Sequence, residues 1–292
     1  MALSKQEWLA LEKKAYELRK LCVQTTVWGG SGHIGGGLSV MDLLTVLYHK
    51  YLRIRVEEPG WEDRDRFILS KGHAAIAYAP VLCDKGFNDM EMLKTFNLSG
   101  SLMGMHLDSN KVVGVDASTG SLGHGASIAA GTALGARLQN KDFLTYIVTG
   151  DGELDEGSNW EAFMTMNQYE LSNCIVFVDR NHCMIDGPTE EVMKLEPLED
   201  KLKAFGFNVI AVNGNKIDML CDAIDVAIER SKEKCNPTCI LMDTLKGAGI
   251  KDIAGDYHCH YMAIDDELFA KFNQQLEEDY KQRVERAEKE GK

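Results

Sequence analysis

Two apolar runs with similar endings constrain this chain more than any other feature. Leu144 to Thr149 (LTYIVT) and Cys174 to Val178 (CIVFV) each read as a strand buried on both faces. The first stops at Gly150-Asp151-Gly152, a turn that frees backbone N–H groups, and the second at Asp179-Arg180-Asn181. Between them, Gly157 to Tyr169 predicts a helix. If the strands are parallel neighbours joined by that helix, Asp151 and Asn181 leave the sheet at one carboxyl edge, where open α/β folds bind ligands.

The rest of the chain repeats the pattern. Lys5 to Trp28 places Trp8, Leu11, Ala15, Leu18 and Cys22 at three-to-four spacing, an amphipathic helix. A glycine-rich loop, Gly29 to Gly37, leads to a second helix over Ser39 to Tyr51, with Asp42 in its first turn. Phe67 to Leu69 predicts a short buried strand followed by a polar turn and a helix, and Val112 to Val115 an extended piece. A second glycine-rich turn, Ala117 to Gly125, opens an Ala-rich helix to about Leu138. Leu195 to Gly206 reads as a helix with an acidic start. Phe207 to Val212 and Thr238 to Asp243 read as two more buried strands around a helix from about Lys216 to Lys232. The fold class expected is therefore α/β, a doubly wound, mostly parallel sheet with helices on both faces. No repeat or low-complexity linker divides it. Residues 1–270 are read as one domain and 271–292 as a charged helical tail, a solvated face or a contact with another subunit.

Composition narrows the function. A net charge of −13 argues against nucleic acid or an anionic membrane as partner, since neither is held without clustered Lys and Arg. No apolar run approaches the ~20 residues that span a bilayer. Met1 to Lys5 shows no signal-peptide pattern and the eight cysteines are irregularly spaced, which predicts reduced thiols in a cytoplasmic enzyme. Cys235 and Cys239 lack a second pair at zinc-site spacing.

The two strand ends suggest chemistry. A carboxylate and an amide oxygen beside a glycine turn suit a hard divalent cation that takes its remaining ligands from phosphate and water. Gly30, Gly32 and Gly35 formally match G-x-G-x-x-G, but a helix precedes them where the dinucleotide fingerprint needs a strand. These glycines make better sense as a loop that lets the backbone pass close to a ligand while presenting His33. The helix amino terminus after Gly125 favours phosphate.

Together these segments resemble the transketolase family, in particular its separately encoded N-terminal half. Gly150-Asp151-Gly152 with Asn181 thirty residues after Asp151 resembles the thiamine diphosphate motif. Ser31-Gly32-His33 resembles the family's SGH loop, with Ile34 where Pro is common. DRFILSKGHAA, Asp65 to Ala75, is similar to the segment that brings a histidine to the cofactor's phosphates. Thr119 to Gly125 resembles a T-G-x-L-G-x-G stretch, with His124 in place of a common Gln.

The resemblance implies thiamine diphosphate and magnesium, with calcium or manganese as alternatives. It implies metal ligation by Asp151, Asn181 and the backbone carbonyl of Cys183, and cofactor contacts from His73, Gly120, Ser121, Leu122, Gly150, Gly152, Glu153 and His260. It places His33, His73, His106 and His260 around the diphosphate and a sugar. His260 is preferred to His258 although Cys259 stands where the family has Trp. Glu156 and Glu161 resemble acidic residues at the contact between active sites. The activity implied is transfer of a two-carbon ketol unit from a ketose phosphate to an aldose phosphate, as in the pentose phosphate pathway. It would require a C-terminal subunit carrying the pyrimidine site, in a heterotetramer with two of each chain. Alternatives are the alpha chain of a 2-oxo acid dehydrogenase, a relative of deoxyxylulose-phosphate synthase, or a non-catalytic assembly subunit of the same fold. Four histidines meeting hydroxyl groups suit a sugar better than a small 2-oxo acid.

Overall fold

In the computed structural model, which describes residues 3–291, the central runs form β2 (Thr145–Gly150) and β3 (Cys174–Arg180). With β1 (Arg66–Leu69), β4 (Asn208–Asn213) and β5 (Thr238–Asp243) they make one sheet of order β1-β2-β3-β5-β4. Every neighbouring pair is parallel, and Gly150 is in register with Asp179.

Alternation along these strands builds two cores. Phe67, Tyr146, Val148, Ile175, Phe177 and Ile240 face one side, while Ile68, Ile147, Val176 and Val178 face the other. This two-sided burial is why the strands read as continuous apolar runs and not as alternating ones. The first side is covered by α1 (Lys5–Trp28), α2 (Ile34–Ser39), α3 (Met41–Val46), α4 (Ala75–Lys85), α9 (Ile217–Ser231) and α10 (Asp266–Glu290). The second is covered by α5 (His124–Leu138), α6 (Gly157–Gln168) and α8 (Leu198–Ala204), with the short α7 (Thr189–Val192) before α8.

Several expectations need correction. Residues 34–37 of the expected glycine loop are helical, the first part of α2, because Ile34 and Leu38 lie on one face of that helix and are both fully buried. The helix expected from Ser39 begins at Met41 and ends in a π turn, Leu47–Tyr51. Val112 to Val115 is a turn; Gly114 has φ +90°, and Asn88 bonds both the N–H and the carbonyl of Val113. The helix expected from Leu195 starts at Leu198, after Pro197 at its N-cap position. The strand expected over Phe207 to Val212 is not buried on both faces: β4 is a half-buried edge, with a neighbour on one side only.

The charged C-terminal helix packs along α1. Phe272, Leu276 and Ala287 are buried, and Tyr280 stacks on Tyr16 with ring centroids 4.6 Å apart. Arg283 bonds Glu12 at 2.6 Å and also Asp42, a fully buried carboxylate that Arg19 grips at 2.6 and 3.0 Å.

Candidate active site

Four of the five strands end beneath a single cleft of about 280 Å³. The segment after β1 contributes Lys71 and His73, the turn after β2 Gly150 to Glu153, and the turn after β3 Asn181 and Cys183 to Ile185. Lys246 and His260 follow β5, and the segments before β1 and β2 close the walls with His33, Gly36, His106, Gly120 and Leu122. Asp151 and Asn181 therefore share one cleft, as the parallel register of β2 and β3 requires.

The imidazoles form a cluster. The His33 ring lies 5.3 Å from His73, 5.2 Å from His260 and 6.4 Å from His106, centroid to centroid. Burial makes all four poor bases, and neighbouring positive charge adds to it for His33, His73 and His260. Burial, His106 and Lys246 lower His33 from 6.5 to about 4. Burial, Lys246 and His33 lower His260 to about 3. Burial and Lys71 hold His73 well below its usual value, and burial alone lowers His106. The cluster is neutral at pH 7, and the buried Nδ1 of His33 has no hydrogen-bond partner among the described residues.

Beneath the cluster the charges are organised in pairs. Lys71 forms a buried ion pair with Asp179 and donates to the Gly36 carbonyl at 2.9 Å. Asp179 also accepts from Ser39, Thr244 and the Asn181 amide nitrogen. Burial opposes its ionisation, but Lys71 and these donors keep it below the usual carboxylate range. Asp151, 2% exposed, accepts from the N–H of His182 at 2.7 Å and of Gly152 at 2.8 Å, and from Arg180 at 3.1 Å. Burial and then Asp179 push its carboxyl above the usual value, with Arg180 opposing them. Glu153 is buried and raised by that burial; it accepts the N–H groups of Gly150 and Gly123 and the Ser70 hydroxyl. Gly123 has φ +87°, so this contact relies on a conformation that glycine adopts without strain.

The remaining expected residues are placed elsewhere. Ser121 is exposed beside the cleft wall, and His124 is exposed at the start of α5. Glu156 and Glu161 are exposed on α6 and the turn before it, outside the cleft. The His258 side chain is 70% exposed and bonds Asp256, whereas His260 faces the cleft. Lys71, Asp179 and Lys246 carry no sequence signal of their own as site residues. Each lies at or just beyond a strand end, which marks the edge but does not show that a charge there is buried.

The donors present fit a hard cation. Asn181 ties its nitrogen back to Asp179, which leaves its carbonyl oxygen as acceptor, 3.2 Å from the Cys183 N–H. Among the described residues no group of three or more His, Cys, Asp or Glu is placed to hold a metal. A cation here would therefore draw on mixed carboxylate, amide and carbonyl oxygens, a set that suits magnesium better than zinc.

Comparison with known proteins agrees with this geometry. Residues 11–288 match the family described as transketolase, thiamine diphosphate binding domain. The chain is 38% identical to a 6-deoxy-6-sulfo-D-fructose transketolase subunit of Clostridium sp. (strain MSTE9), over 94% of this chain and 98% of that relative. It is 36% identical to an apulose-4-phosphate transketolase subunit of Phocaeicola vulgatus, over 96% of this chain and 97% of that one. It superposes on transketolase from Leishmania mexicana with a TM-score of 0.84 at 28% identity, covering 96% of this chain but only 45% of that enzyme. From the cleft at the strand ends to the match over nearly its whole length, the chain belongs to the transketolase family, as its thiamine diphosphate-binding part.

Proposed function

We propose that this chain is one half of a split transketolase, holding thiamine diphosphate through magnesium and acting with a second chain that carries the pyrimidine site. The observation that carries the reading is the gathering of four neutral imidazoles in the same cleft as Asp151 and Asn181. Asp151, Asn181 and the Cys183 carbonyl would hold the metal. Lys246 sits beside them, its Nζ 2.8 Å from the Met184 carbonyl and 2.9 Å from His260 Nδ1. Burial lowers its pKa, so a diphosphate brought next to it would restore a counter-charge to a poorly solvated ammonium. When bound, the cofactor supplies a carbon nucleophile and an electron sink for carbon–carbon cleavage.

The protein's own part is to move protons and orient hydroxyls. His33, which lines the cleft, can take or return the proton of a sugar hydroxyl, and His73, His106 and His260 can orient neighbouring hydroxyls. Ionised phosphates raise the basicity of nearby imidazoles, which moves these groups toward the range useful at neutral pH. A partner is supported by the length comparison, since the chain spans less than half of the Leishmania enzyme, and by relatives that are named as subunits. Among the described residues no helix is long and apolar enough to cross a membrane, and we place the pair in the cytoplasm.

The test is to purify the chain with the protein that accompanies it and assay ketol transfer from ketose phosphates to aldose acceptors, including the sulfonated and branched sugars named for the relatives. Transfer should need both chains, thiamine diphosphate and magnesium. Full activity of the single chain would refute the split site, and consumption of pyruvate in place of a ketose would refute the transketolase reading.

A further inference from the structure

Against His33, a residue of the cleft, stands a pair of hydroxyls that the chemistry above leaves unused. Gly32 and Met262 exchange two backbone hydrogen bonds, at 3.0 and 3.1 Å, in an isolated antiparallel bridge. That register sets Tyr261 directly opposite His33 and places Ser31 on the diagonal, within reach of a long side chain. Accordingly, the Tyr261 and His33 rings meet edge to face with centroids 4.9 Å apart, and the Tyr261 hydroxyl lies 2.6 Å from Ser31 Oγ. Tyr261 is nevertheless 43% exposed. Its ring touches an imidazole of the cleft, and much of the side chain is open to solvent.

We propose that Tyr261, braced by Ser31, forms the outer wall of the substrate channel and hydrogen-bonds a hydroxyl of the sugar beyond the carbons that react. The inference rests on the ketol-transfer reading and refines it. A two-carbon acceptor ends among the imidazoles, whereas a chain of four or five carbons must extend past His33. Two hydroxyls carry two protons and share only one between them, so a donor and several acceptor lone pairs remain for a ligand. The pair is uncharged, which matches the polyhydroxy part of a sugar and not its phosphate or sulfonate end.

The experiment uses the two-chain holoenzyme with thiamine diphosphate and magnesium, and compares the unaltered chain with Tyr261→Phe and Ser31→Ala. Glycolaldehyde serves as the two-carbon acceptor, erythrose 4-phosphate and ribose 5-phosphate as longer ones. Tyr261→Phe keeps the ring against His33 and removes only the hydroxyl. It should lower kcat/KM for the longer acceptors about tenfold, through KM, while glycolaldehyde is unaffected. Ser31→Ala should give the same pattern at smaller amplitude. An equal loss on glycolaldehyde, a loss in kcat alone, or no change in either variant would overturn the assignment while leaving ketol transfer intact. An unaltered pair that transfers nothing to any acceptor would overturn the transketolase reading, and this inference with it.

Discussion

Lys71 and Lys246 place two nearly inaccessible ammonium groups under a cleft whose imidazole walls are neutral at pH 7. Their surroundings differ, and so do the expected effects of changing them. Lys71 is balanced by Asp179, so Asp179→Asn should strand a buried charge and cost about 3–5 kcal/mol, read as a loss of unfolding free energy in denaturant. Lys246 bonds carbonyls and an imidazole, not a carboxylate, so Lys246→Met should leave folding nearly intact. It should instead weaken thiamine diphosphate binding by about ten- to a hundredfold, measured by calorimetric titration in the presence of magnesium. The imidazoles give a pH signature. In the folded chain His33 and His260 titrate near 4 and 3, against 6.5 when free. Between those values the unfolded chain binds more protons, so their contribution to stability is complete above pH 6.5 and is lost as pH falls toward 4. Thermal unfolding from pH 7 to 5 should show this fall, and a His33→Asn, His260→Asn double variant should show a shallower one. The four histidines could be read from the sequence through the family resemblance of the segments that carry them. The buried Lys71 could not, because its burial depends on a carboxylate that folding brings from more than a hundred positions away.

At the scale of elements, the strands of the central crossover were legible to within a residue or two, since burial on both faces leaves an unbroken apolar run. Edge strand β4 has a similar composition but a different environment, and composition does not report neighbours. The glycines of α2 misled for a related reason. They suggest a loop, yet their missing side chains are what allow a helix to press against the segment carrying His260. A Cβ on Gly35 would lie 2.4 Å from Cys259 Sγ and 2.7 Å from the Cys259 carbonyl. Gly35→Ala should therefore displace that segment at a cost of about 1–3 kcal/mol, seen as a lower midpoint in thermal unfolding. The charge pattern of α10 suggested a solvated face or a contact with another subunit; it did not show that Arg283 pairs within the chain, with Glu12 and Asp42. Arg283→Ala should cost about 3 kcal/mol by leaving two buried carboxylates short of a counter-ion.

For the whole molecule, alternating strands and helices made the α/β class legible, while the strand order was not. Nothing local in the sequence says that β4 lies outside β5. The cleft mouth also had no local signal. Ile185 lines the cleft and is 60% exposed, an unusual state for a large aliphatic side chain that a second chain would relieve. Ile185→Asp should weaken association with the accompanying protein, measured by sedimentation of the mixture, without changing the melting temperature of the single chain. The all-parallel sheet has a further, kinetic consequence. No two of its strands can be joined by a tight hairpin, and even the shortest crossover, from Gly150 to Cys174, must complete a helical excursion before its strands can pair. Refolding must therefore begin with distant encounters, at a pace set by loop closure, and during that interval the unpaired flanks of β1 and β4 are open to aggregation.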